Sequence, residues 1–191
     1  PILWGSRLFL LAAVIVHAVT AYQLVKENRR ARPHSNYIET TKKAGLASLR
    51  MGLTGSILLA FIIFHLLHFT IRLIYPEYDK MMTIVGSPDS DKIHDVYTMV
   101  IAGFQHTWVS VFYVVAMFLL CGHLAHGVSS AFQSLGIRSE NWRAKLELAA
   151  KAYAWVIFAG FSIVPLLVLA QNWGIIKFFN FSSGMEPLAL N

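Results

Sequence analysis

The sequence predicts an all-α fold, a transmembrane helical bundle, and three observations carry that prediction. The 191 residues are 56% hydrophobic and only 14% charged, whereas a soluble domain is about 25% charged. The mean hydropathy is correspondingly high, at +0.55. The charges are also clustered. None falls between Arg7 and Lys26, between Arg50 and Arg72, between Asp95 and Arg138, or between Lys151 and Lys177, which leaves uncharged runs of 18, 21, 42 and 25 residues. A bilayer core takes about 20 apolar residues to cross as a helix, the form that satisfies its backbone groups without water. A soluble enzyme, a nucleic-acid binder and a disulfide scaffold are excluded. Cys121 is the only cysteine, and the net charge of +6 is confined to loops between apolar runs.

Four spans follow in order, at about 4–25, 51–71, 98–132 and 152–173, within a single domain of 1–191. The third lies inside Val96 to Gly136, too long for one crossing, so its helix is expected to project into water. Pro165 falls inside the fourth span, where membrane helices tolerate a kink. Loop 26–43 has six basic residues (Lys26, Arg29, Arg30, Arg32, Lys42, Lys43) against two acidic ones, and loop 137–151 has four against two. The segment from Arg72 to Tyr97 has three basic and five acidic residues. Positive loops stay in the cytoplasm. Loops 26–43 and 137–151 are therefore expected inside and the acidic segment outside, with Trp4, Trp108 and Trp173 in an outer aromatic belt. Residue 1 then starts outside, almost within a helix. That start points to a removed signal or to a fifth, N-terminal span not contained in this sequence.

Six of the eight histidines lie in or at the edge of the spans: His17, His65, His68, His106, His123 and His126. Ionisable groups inside a membrane are expensive and usually functional, and neutral imidazole is a good ligand for iron. At 1.5 Å per residue, His17 and His123 lie about 13 and 15 Å from the cytoplasmic ends of their helices. His65 lies about 10 Å from the outer end of its own, with His68 and His106 nearer that face. Two axial histidines from two helices, clamping a planar macrocycle, produce this layout. A zinc or di-iron site would require carboxylates or cysteines beside the histidines, and no Asp or Glu falls within a span.

Three stretches carry a family resemblance. They are His17-Ala18-Val19-Thr20-Ala21-Tyr22, Thr54-Gly55 followed ten residues later by His65, and the run from His123 through His126 and Gly127 to Gly136. In order and spacing they resemble the diheme cytochrome b subunit of bacterial succinate dehydrogenase and fumarate reductase, over nearly the whole chain. The resemblance implies five transmembrane helices, of which these spans match the second to fifth. It implies that His17 and His123 ligate a heme b nearer the cytoplasm. His123 takes this role rather than His126, because Gly127 and Gly136 follow His123 at the family's spacing. It further implies that His65 ligates a second, outer heme b, whose other ligand lies on the family's first helix. His106 is the alternative partner for His65.

Arg50, at the cytoplasmic boundary, could neutralise a heme propionate or simply anchor the helix. His68 and His126 have an alternative reading as hydrogen-bonding residues to a propionate, the backbone or a lipid headgroup. His68, His106, Gln105 and Trp108 are candidates for a quinone site near the outer face, since a quinone needs hydrogen bonds, a flat slot and a proton source. The resemblance implies a membrane anchor and electron-transfer subunit in a bacterial inner membrane. Its partners would be a flavoprotein and an iron–sulfur subunit, and its substrate a quinone, commonly menaquinone. A cytochrome b subunit of another membrane dehydrogenase, of formate dehydrogenase or hydrogenase type, and a heme-free anchor are the alternatives.

Overall fold

Each uncharged run is helical in the computed structural model, which describes residues 2–31, 42–84, 92–136 and 140–177, with the side chains of 42–50, 84, 140 and 141 excepted. The main helices are α1 (Ile2–Arg30), α2 (Lys42–His65), α3 (Val96–Gln105), α4 (Thr107–Ser134) and α5 (Glu140–Asn172). The fold is all-α. Four helical stretches are long and apolar enough to cross a membrane: Ile2–Arg30, Met51–Thr70, Thr107–Ser134 and Trp142–Asn172. The chain divides into two compact units, Pro1–Ile62 and Ile63–Asn191.

In the first unit, α1 is apolar along its membrane-length stretch and ends in Arg29 and Arg30, cations placed where the helix dipole is negative. Gly52 of α2 lies close to α1, since a Cβ there would sit 3.9 Å from Val25 Cγ2. Residues 32–41 of loop 26–43 lie outside the described residues, as does the side chain of Arg50.

The second unit begins with the last turn of α2, which widens into a π turn over Leu66–Thr70. The Ile71 N–H donates to the Leu66 carbonyl and the Leu73 N–H to that of Leu67. Arg72 follows with φ of 59°, a left-handed conformation that ends the helix and is uncommon for a residue with a Cβ. The acidic segment carries more structure than a plain loop. Pro76–Lys80 forms a 3₁₀ turn, where proline's fixed φ suits an N-terminal position. Beyond it, β1 (Met82–Ile84) pairs antiparallel with β2 (Lys92–His94), Thr83 facing Ile93. Asp95 then caps α3, its carboxylate accepting from the Thr98 N–H at 3.0 Å and the Thr98 hydroxyl at 2.7 Å. These bonds hold the Asp95 carboxyl below the usual aspartate range.

The expected continuous third span, about 98–132, is corrected by a break. The chain leaves α3 at His106, whose ψ of 107° is extended, and restarts as α4. The break is stable because its released carbonyls find side-chain donors. Ser110 donates its hydroxyl to the Phe104 carbonyl at 2.6 Å, and the Asn172 amide donates to that of Gln105 at 2.8 Å. Part of the length of the third run is thus taken up by α3, a separate ten-residue helix whose Met99, Ile101, Ala102, Gly103 and Phe104 are buried. A second correction concerns 137–151. The polar stretch from Glu140 is already the first turns of α5, with the Lys145 ammonium 5.0 Å from the Trp142 ring.

Helices α4 and α5 pack along one another. The buried positions of α4 are Val109, Ser110, Tyr113, Ala116, Met117 and Cys121, which recur every three to four residues and form one stripe. Ala150, Ala154, Ser162, Pro165, Val168 and Leu169 are buried positions of α5. Small residues let two helix backbones approach where lipid gives no hydrophobic drive. Val111, Phe118, Val156 and Ile163 point outward and are exposed.

Candidate functional site

The polar atoms of the second unit converge where the π turn, the acidic segment and the start of α4 meet. His65 closes α2, and His68 lies in the π turn, three residues on. A π turn is a common device at functional sites. Tyr113, on the buried stripe of α4, reaches both imidazoles. Its hydroxyl lies 3.0 Å from His68 Nδ1 and 3.3 Å from His65 Nδ1.

Aromatic rings surround the trio. His68 is fully buried, with the Phe69 ring 3.9 Å away and Tyr75 and Tyr78 at 5.5 and 5.9 Å between centroids. His106, at the break between α3 and α4, lies flat on Tyr75 at 4.7 Å and 7°. α3 closes over the cluster through Gly103. A Cβ there would lie 2.7 Å from Phe69 Cε1 and 3.3 Å from His68 Cε1, so only glycine permits this approach.

Three buried polar atoms in this cluster have no hydrogen-bond partner among the described residues: His68 Nε2, His106 Nε2 and the Tyr78 hydroxyl. Such groups normally cost free energy unless something pairs with them. Burial pushes the Tyr78 and Tyr75 hydroxyls above the ordinary tyrosine value, with Glu77 adding to the shift. At Tyr75 a side-chain hydrogen bond with Trp108 opposes it. Both tyrosines therefore stay neutral and keep their protons at physiological pH.

Beside the cluster, His106, Thr107, Trp108, Val111, Phe112 and Val115 form a shallow, open apolar face. Residues 108, 111, 112 and 115 share one face of α4. Trp108 meets Phe64 edge-on at 5.8 Å.

His65, His68, His106 and Trp108 therefore come together at one end of the unit. Gln105 contributes its backbone carbonyl to the helix break. His17 lies on α1 in the first unit, where its carbonyl accepts from the Thr20 hydroxyl at 3.1 Å. His123 is half-buried and His126 exposed, both on α4 in the second unit. Tyr113, Tyr75, Tyr78 and Gly103 belong to the site without having been candidates. A tyrosine on an apolar run reads as core, and only its seven-residue spacing from His106 puts it at the depth of the histidines.

The donor set suits an axially bound heme. A neutral imidazole coordinates iron through one nitrogen and donates a hydrogen bond through the other, and His65 has its Nδ1 on a hydroxyl. Among the described residues, no three His, Cys, Asp or Glu side chains are gathered as metal ligands, and an axial site requires only one imidazole per face. No protein family, curated protein or solved structure matches this chain.

Proposed function

We propose that this chain is the membrane anchor and electron-transfer subunit of a succinate:quinone oxidoreductase, binding two b hemes and passing electrons between an iron–sulfur subunit and a quinone. The observation that carries the reading is His65 at the end of a membrane-length helix, with Nδ1 on the Tyr113 hydroxyl. That arrangement makes Nε2 the iron-facing atom. His17 and His123, on two further apolar helices, serve as the proposed ligands of the inner heme, and Arg50 is the residue proposed to neutralise a propionate.

When bound, the hemes supply one-electron carriers at two depths of a slab that charged side chains do not cross. The chain's residues hold each ring, set the proton positions on the ligating imidazoles and exclude water. The open apolar face along α4 is the proposed seat of a quinone ring. Trp108 and Phe112 supply apolar surface, with His106 beside them. His106, which borders this face, has a buried Nε2 with no hydrogen-bond partner among the described residues, and a carbonyl oxygen or quinol hydroxyl that reached it would satisfy it.

Menaquinone is the proposed substrate, and a flavoprotein and an iron–sulfur subunit docked on the basic segments 26–43 and 137–151 are the proposed partners. The proposed location is a bacterial inner membrane with those segments in the cytoplasm. The positive charge of the segments and the acidic character of 72–97 support this orientation.

The test is an optical spectrum of the complex purified from membranes. A b-type α-band on reduction is expected, with one heme lost in His17→Ala and in His123→Ala. Absence of the band in the wild-type complex would leave a heme-free anchor instead.

A further inference from the structure

We propose that Tyr113 is the positioning residue of His65 and also sets the proton position on His68. The inference rests on the heme reading of His65 and extends it to a residue that no motif marks.

The argument is one of proton counting. A tyrosine hydroxyl has one proton to donate and lone pairs to accept with. Two imidazole Nδ1 atoms lie within hydrogen-bond distance of it, at 3.0 Å and 3.3 Å. It can donate to only one of them, so the other must carry its own proton and donate to the tyrosine oxygen. An imidazole bound to iron through Nε2 carries its proton on Nδ1. His65 is therefore the donor to Tyr113. The Tyr113 proton then points to His68 Nδ1, the nearer of the two.

The remaining His68 proton sits on Nε2. That atom is buried and has no acceptor among the described residues. The chain from His65 through Tyr113 to His68 thus ends in an N–H held inside the aromatic cluster, facing whatever acceptor enters there. A hydrogen-bond acceptor on Nδ1 raises the basicity of a ligating imidazole, which favours ferric over ferrous iron. Tyr113 accordingly lowers the potential of the heme that His65 ligates.

The experiment uses the purified complex with all subunits and compares wild type, Tyr113→Phe, a form with 3-fluorotyrosine at position 113 only, and His65→Ala. The phenyl ring preserves the packing against Phe64, Phe69 and Phe104 and removes only the hydroxyl. The hydrogen bond's share is of order 1 kcal/mol, so the ferrous-to-ferric ratio of one heme at a fixed potential should rise several-fold in Tyr113→Phe. The electron paramagnetic resonance g-values of that heme should move and those of the other should not. The fluorinated side chain, a weaker acceptor, should shift the ratio in the same direction by less. If Tyr113→Phe assembles without that heme, the fluorinated form decides. Wild-type potentials and g-values in the hydroxyl variants, with His65→Ala still losing one heme, would overturn the positioning role. Two hemes retained in His65→Ala would instead overturn the ligand reading beneath it.

Discussion

At Gly103 a single missing carbon lets α3 lie against the histidine cluster. The two Phe69 ring atoms nearest a new Cβ would be 2.7 and 2.8 Å away. The ring has little room to move, since it already lies against His65, His68, Tyr78, Phe104 and Tyr113. Gly103→Ala is therefore expected to cost about 1–3 kcal/mol through overpacking, despite alanine's better helix propensity. Thermal unfolding in detergent should show the loss. Gly160→Ala in α5, where a Cβ meets nothing within 4 Å, should be neutral or slightly stabilising. The contrast separates backbone entropy from crowding, because only the crowding differs between the two sites.

At the scale of the element, α3 depends on its first turn. Asp95→Ala removes the acceptor for both Thr98 bonds and should cost about 1 kcal/mol, the usual value of an N-cap. The pH dependence has a definite sign. The folded-state carboxyl is more acidic than its ordinary value of 3.8. Its contribution is therefore complete above that value and disappears as the pH falls through the lowered one. A stability–pH profile of Asp95→Asn should lack that acid-side loss. The four spans were legible because charge-free length is a one-dimensional signal. The break at His106 was not, since what permits it is Ser110 and Asn172 meeting carbonyls six and sixty-seven residues away in sequence. The strands escaped notice because a three-residue pairing is shorter than any alternation that could announce it. The histidine cluster was half legible. Depth placed His65, His68, His106 and Trp108 at one end, but the hydroxyl joining two of them comes from a helix that reads as apolar throughout.

For the molecule in its lipid, small residues mark the buried side of part of α5. Ala154 has no exposed surface, while Val156, two residues along α5, is 69% exposed. Ala154→Leu should wedge α5 from its neighbour and cost about 1–3 kcal/mol, whereas Val156→Leu should leave stability unchanged. Unfolding midpoints of the two variants in one detergent provide the comparison. The π turn at Leu66–Thr70 acts on a different variable. A helix that runs only in α turns ties its length to its angular phase, because each added residue advances both by fixed steps. One wide turn loosens that tie. α2 can match the thickness of the bilayer while His68 is rotated separately onto the hydroxyl it shares with His65.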